Sequence, residues 1–160
     1  MRFTNRNEVK IVPSMYIVLV AIFVTNIFVN IELMSSEEPV RFSHYVPNIV
    51  VLILGFYVHK IGQSFDFDSD GETLNLKNSG VFFSKFMEYR VKKAEFPKRK
   101  LGKFRFSDYF FYSAVTIYIS SRRRRGYKKY TFNTTFLSRK KKRGMIASMQ
   151  KIVENQKTTA

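Results

Sequence analysis

Residues 15–33 read MYIVLVAIFVTNIFVNIEL, and residues 46–61 read VPNIVVLILGFYVHKI. The reading of this pair of apolar runs, joined by a short polar link, decides the fold. The first run has nineteen residues, and its strongly polar members are Thr25, Asn26, Asn30 and Glu32. As a helix it is about 28 Å long, close to the ~30 Å of bilayer hydrocarbon. The second run is shorter and opens with Pro47, which suits a first helical turn. At its far end Tyr57, His59 and Lys60 can reach the headgroup layer. The pair predicts a two-helix transmembrane hairpin, with helices at about 15–33 and 46–61, carrying a soluble domain behind it.

Charge sets the expected topology. Arg2, Arg6 and Lys10 precede the first run against Glu8 alone, and the link has Glu37 and Glu38 against Arg41. Basic residues return at Lys60. Positive flanks on one side and an acidic link on the other predict an integral protein of the inner membrane with both termini in the cytoplasm. The competing reading of residues 1–36 as a cleaved signal peptide has a basic start in its favour. It has an over-long apolar run and no A-x-A-like site against it.

The chain has 160 residues, so about 99 follow the hairpin, enough for one small domain. There is no cysteine, which removes disulfides, thiol nucleophiles and Cys-ligated zinc. The two histidines, His44 and His59, both flank the second apolar run, leaving no imidazole base in the soluble part. Seventeen Phe and nine Tyr favour strands. Residues 62–160 hold 23 Lys/Arg against eight acids, a net of +15. That excess fits a cytoplasmic tail under the positive-inside rule, and it also fits attraction to an anionic partner.

Beyond the hairpin the pattern turns to period two. Phe65 and Phe67 alternate with Asp66 and Asp68. After the turn signal Ser69-Asp70-Gly71, Leu74 and Leu76 alternate with polar neighbours, which predicts a β-hairpin. Residues 81–96 predict one or two bent strands ended by Pro97. Phe104 and Phe106 alternate with Lys103 and Arg105, residues 108–113 form an aromatic-rich connection, and Val115, Ile117 and Ile119 mark the clearest strand. Tyr130 and Phe132 mark another. Ser138 reads as an N-cap, followed by Met145, Ile146, Met149, Ile152 and Val153 at helical spacing. Basic residues in the first turns of that helix oppose its dipole, so packing must hold it. The domain is expected over 62–156, after an N-terminal segment and hairpin over 1–61, with residues 157–160 frayed.

This order resembles the bacterial pleckstrin-homology-like domains carried behind a pair of transmembrane helices. The likeness rests on Asp70-Gly71-Glu72-Thr73-Leu74, Ala94-Glu95-Phe96-Pro97-Lys98, the strand 115–119 and Phe136-Leu137, and it covers roughly residues 46–156. It implies an α+β membrane protein whose six to seven antiparallel strands form a partly open barrel or sheet capped by a C-terminal amphipathic helix. No general enzymatic activity goes with the family. Lipid-binding members of the wider class hold headgroups with basic residues around the first hairpin loop. Here that loop is Asp68-Ser69-Asp70-Gly71, which repels phosphate, so that site does not carry over.

The candidate contacts for an anionic lipid or a protein partner are therefore three basic runs. They are Lys98, Arg99 and Lys100; Arg122, Arg123, Arg124, Arg125, Lys128 and Lys129; and Arg139, Lys140, Lys141, Lys142 and Arg143. Near an anionic leaflet each such charge contributes about 1 kcal/mol. Asn26 and Asn30, four apart on one helix face, are candidates for helix–helix packing or homo-oligomer contact. Asp66, Asp68, Asp70 and Glu72 imitate the start of a calcium loop, but the twelfth position is Lys77 rather than a bidentate Glu. No catalytic residue, metal site or cofactor is expected. Nucleic acid is disfavoured by the membrane tether. The expected function is a non-catalytic interaction module at the inner leaflet, and the alternative is an accessory subunit of a membrane enzyme or transporter.

Overall fold

The structure is a computed structural model that describes residues 1–35, 45–81, 91–121 and 126–158. Its elements are β1 (Arg2–Thr4), α1 (Ile11–Ser35), α2 (Val46–Ile61), β2 (Gln63–Asp68), β3 (Thr73–Gly80), β4 (Lys92–Pro97), β5 (Leu101–Tyr109), β6 (Tyr112–Ser121), β7 (Gly126–Asn133) and α3 (Arg139–Thr158). Single 3-10 turns lie at Glu8–Lys10 and Lys98–Lys100.

The alternating segments become strands with their apolar residues inward. Phe65, Phe67, Leu74 and Leu76 are wholly buried, and Gly71 takes the positive φ of 64° that the β2–β3 turn requires. Among the described residues the seven strands do not close into a barrel. They form a four-stranded antiparallel sheet, β1-β2-β3-β4, and a three-stranded one, β5-β6-β7. The chain passes from one to the other through Pro97, which lacks an N–H for a ladder, and the 3-10 turn after it. One core lies between them, with Phe65, Phe67, Leu74, Leu76 and Phe96 from the first sheet and Leu101, Val115, Ile117 and Phe132 from the second. The rings of Phe65 and Phe132 meet at 6.3 Å across it. Helix α3 adds Met145 and Met149, both fully buried, with Ile152 and Val153 partly so. This burial holds a helix that five successive basic residues would otherwise disfavour at its start.

The first strand is the element that the sequence did not announce. Residues 2–4 lie ahead of the apolar runs, yet they pair antiparallel with β2 in the register Arg2↔Asp68, Phe3↔Phe67, Thr4↔Asp66. Phe3 stacks on Phe67 at 5.1 Å, and Arg2 and Arg6 face Asp68 and Asp66. Just beyond the strand, Asn5 is fully buried. Its Oδ1 accepts the Phe65 N–H at 2.6 Å, and its own N–H donates to the Phe65 carbonyl at 3.1 Å. The two apolar helices are therefore an insertion between two neighbouring strands of one sheet.

Helix α1 has 25 residues and is long and apolar enough to cross a membrane, with most of its side chains uncovered. Helix α2 has 16 residues, about 24 Å, and by length does not qualify as a span, in contrast to the expected pair of transmembrane helices. The two pack on one another through stripes of heptad spacing. Val12, Tyr16, Leu19, Phe23, Asn26 and Asn30 are among the less exposed positions of α1, and Asn48, Val51, Gly55 and Val58 among those of α2. At the foot of the pair, Val9, Val12 and Val58 form a small core of their own.

Candidate functional site

The foot of the helix pair and the domain meet at one end of the second sheet. Asn133, buried near the end of β7, donates from Nδ2 to the carbonyls of Lys60 at 3.2 Å and Ile61 at 3.3 Å. Its Oδ1 accepts from the Thr135 N–H and hydroxyl. Tyr57 of α2 donates its phenol to the Phe111 carbonyl at the β5–β6 turn. The helices are thus tied to the sheet end formed by the β5–β6 turn and the end of β7. The opposite end, where β6 passes toward β7, lies about 30 Å away along the ten residues of β6.

This geometry divides the basic runs. Arg99 and Lys100 share a surface hollow with Gly102, Ser120 and Tyr127, at the end remote from the helices. Lys128 and Lys129 lie there too, both exposed, with Lys128 Nζ 5.0 Å from the centre of the Tyr130 ring. On the outer face of the same sheet Lys103 Nζ sits 4.8 Å from the centre of the Tyr118 ring. Lys98 is half-buried, and its carbonyl accepts from Gln156 near the end of α3. Arg122, Arg123, Arg124 and Arg125 lie outside the described residues, as do Glu37, Glu38, Arg41 and His44 of the link and most of the 81–96 stretch.

The third run sits at the helix end of the domain. Arg139 and Lys142 line a cleft with Met15, Tyr57, Ile61 and Phe136. Lys142 Nζ donates to Ser113 Oγ at 2.7 Å and to Asp108 Oδ1 at 3.1 Å. Ser113 also donates to Asp108. That bond, with Lys142 and the nearby Arg139, outweighs the effect of burial and holds the Asp108 carboxyl below the usual carboxylate range. Lys141 pairs with Glu8 at 2.5 Å and donates to the Thr4 carbonyl, so it fastens α3 to the N-terminal strand. Lys140 and Arg143 are exposed.

Asn26 and Asn30 lie on the stripe facing α2 and are joined by a bond from Asn30 Nδ2 to Asn26 Oδ1 at 2.9 Å. Asn48 Oδ1, on the facing stripe, is buried without a hydrogen-bond partner among the described residues. The acidic turn is occupied from within the chain. Asp70 takes the Met1 ammonium, while Asp66 and Asp68 face the arginines flanking β1. Among the described residues no cluster of His, Asp and Glu has the makings of a metal centre.

Sequence reading missed two parts of this region. Asn133 sits just past Tyr130 and Phe132 in the expected strand, where a polar residue carries no signal of its own. The β5–β6 turn was read as a loose aromatic connection over 108–113, whereas Tyr109 pairs with Tyr112 and the turn is only Phe110-Phe111. Four consecutive aromatics where Gly, Asn or Asp are the usual turn residues were the available signal. Compared with family models, curated proteins and solved structures, the chain matches none.

Proposed function

We propose that this protein is a membrane-anchored interaction module: a helical hairpin through the inner membrane holds a pleckstrin-homology-like domain at the cytoplasmic leaflet, where it engages an acidic protein partner without catalysis. The observation that carries the reading is the pairing of β1 with β2. Because these strands flank the helices, the foot of α1 and the foot of α2 are on the same side of any bilayer. If α1 crosses, the chain must cross back, and α2 with the residues preceding it is the segment available to do so. Seventeen large apolar side chains on the two helices are exposed among the described residues. At roughly 1 kcal/mol for each half-covered side chain, leaving them in water costs on the order of 15 kcal/mol, as much as a domain's whole stability. Seven strands in open sheets closed off by a C-terminal helix support the pleckstrin-homology-like reading of the remainder.

The end of the domain remote from the helices favours a protein partner over lipid for Arg99, Lys100, Lys128 and Lys129, the described residues of the first two basic runs that lie there. Arg99, Lys100, Lys128 and Lys129 lie about 30 Å from the helix feet, several Debye lengths at physiological salt. In this orientation they face the cytoplasm. The test uses the full chain in neutral phosphatidylcholine vesicles with labelled polyglutamate as the probe. It is expected to stay with the vesicles through an alkaline wash and to retain polyglutamate. Changing Lys98, Arg99, Lys100, Lys128 and Lys129 to Gln should cut that retention more than tenfold without releasing the protein. Retention unchanged by the five substitutions would refute the assignment of partner contact to this end.

A second reading, an accessory subunit of a membrane complex, is favoured by the open apolar groove between the helices. It is lined by Leu19, Val20, Phe23, Val51, Leu52 and Gly55. On that reading the groove takes a helix of the partner.

A further inference from the structure

We infer that the β5–β6 turn is a second, shallow membrane anchor: Phe110 and Phe111 enter the interfacial layer beside the helix pair, and Arg139 in the cleft behind them holds the phosphate of an anionic phospholipid. The inference rests on the reading that α1 and α2 cross a bilayer, and it adds a contact that the domain itself makes.

The turn is costly in water. Phe110 is 94% exposed, Phe111 68% and Tyr109 66%, although each could have been a small polar residue without disturbing the strands. The two phenylalanine rings meet edge to face at 4.5 Å and 83°, so they project as a single aromatic body. A β-turn that presents such a body to solvent needs an apolar medium at that spot.

Its position supplies one. The Tyr57 phenol, near the foot of α2, donates to the Phe111 carbonyl, so the tip stands where α2 emerges toward the domain. Tyr57, Tyr109 and Tyr112 surround it with the amphipathic rings that favour the headgroup level. The cleft behind the tip runs from Met15 and Ile61 at the helix feet to Arg139 on α3, so a lipid lying against the helices has its headgroup at that arginine.

The charges in the cleft are unequal. Lys142 is mostly buried, and its ammonium is taken by Ser113 and Asp108, so it largely neutralises Asp108, the acid among the described residues lining the cleft. Among the described residues lining the cleft the other cation is Arg139, which is exposed and acts on Asp108 through its charge. A guanidinium offers phosphate a bidentate fork that an ammonium lacks. Arg99, Lys100, Lys128 and Lys129 at the remote end of the sheet cannot reach the same leaflet, so selectivity for anionic lipid should lie at the helix end of the domain.

The sequence contains no tryptophan, so one introduced indole reports alone. Full-length Phe110→Trp, Val20→Trp and Tyr127→Trp proteins are placed in phosphatidylcholine vesicles, with and without an equimolar share of phosphatidylglycerol, and quenched by lipids brominated near the headgroup or deep in the chain, or by aqueous iodide. For Phe110→Trp the expected result is blue-shifted emission quenched best by shallow bromine. Val20→Trp should be quenched best by deep bromine, and Tyr127→Trp by iodide. Brominated phosphatidylglycerol should quench Phe110→Trp better than brominated phosphatidylcholine, and Arg139→Gln should reduce that preference about fivefold. If iodide quenches Phe110→Trp as strongly as Tyr127→Trp while Val20→Trp remains deep, the turn is no anchor although the helices are. Shielding of Phe110→Trp from iodide without quenching by brominated lipid would mean that a protein covers it, which overturns the inference. A preference for phosphatidylglycerol that survives Arg139→Gln overturns the role of the arginine. Iodide access at Val20→Trp removes the reading on which both rest.

Discussion

A chain lacking residues 1–61 should fail to fold, whereas a chain lacking only residues 13–61, with a short Gly-Ser linker in their place, should fold and stay in solution. The first deletion removes β1 and Asn5 together with the helices. It bares the edge of β2, one face of Phe67 and the Phe65 N–H and carbonyl. At about 1–3 kcal/mol for each orphaned polar group and about 1–2 kcal/mol for the lost Phe3 packing, the loss is about 5 kcal/mol, comparable to the whole stability of a small domain. The second deletion keeps all of these contacts. Its linker has little to span, because Val12 lies against Gly62: a methyl placed on Gly62 would sit 2.8 Å from Val12 Cγ1. Proton chemical-shift dispersion and sedimentation of the two fragments decide the matter. Equal folding of both would show that the N-terminal strand is dispensable.

The second large effect falls on a single side chain. Asn5→Ala in the full chain should lower stability by about 2–3 kcal/mol, a fall in Tm of about 10–15 °C. Asn5 closes the end of the first ladder by imitating one more strand residue, with its amide oxygen standing in for a backbone carbonyl toward the Phe65 N–H. Alanine leaves that N–H buried and unsatisfied. Thr4→Ala, one residue away and exposed, should change stability by less than ~0.5 kcal/mol. Melting in mild detergent followed by near-ultraviolet circular dichroism separates the two. A small effect at Asn5 would mean that the N-terminal strand is not bound as described.

These two expectations come from the part of the fold that the sequence concealed. Local signals were read with ease where an element is long or alternates strongly. The pairs Phe65/Phe67 and Leu74/Leu76 around Asp70-Gly71 declared the β2–β3 hairpin, and the Met145/Met149 stripe declared the closing helix. The first apolar run was read as 15–33 and extends over 11–35, because Pro13 fits within a first turn and the polar Ser35 still propagates the last one. Strand β1 was invisible for two reasons. Three residues carry almost no periodicity, and its partner lies more than sixty positions away. In hindsight Arg2-Phe3-Thr4 is the charge and shape complement of Asp66-Phe67-Asp68.

The candidate contacts were legible as charge runs but not as places. Sequence spacing makes Arg99 and Arg139 look like equal members of one basic surface. The β5–β6 hairpin places their neighbourhoods at opposite ends, because a strand carries its two termini apart by about 3.3 Å per residue. Lys141 and Lys142 belonged to the same run as Arg139, yet both are engaged with acids of the domain, Glu8 and Asp108. Of the partly open barrel or sheet implied by the resemblance, the described residues form open sheets rather than a closed barrel, because the first ladder stops at Pro97 and the second starts at Leu101, leaving two sheets that share a core.

The most direct test of the central claim, that the apolar pair crosses a bilayer as an insertion within a one-sided domain, is thiol labelling from outside intact cells. With no native cysteine, Tyr45→Cys at the start of α2 and Lys100→Cys at the remote end of the domain each report one position. A membrane-impermeant maleimide is expected to label Tyr45→Cys in intact cells and to label Lys100→Cys only after the membrane is opened. Labelling of both, or of neither, before the membrane is opened would contradict it.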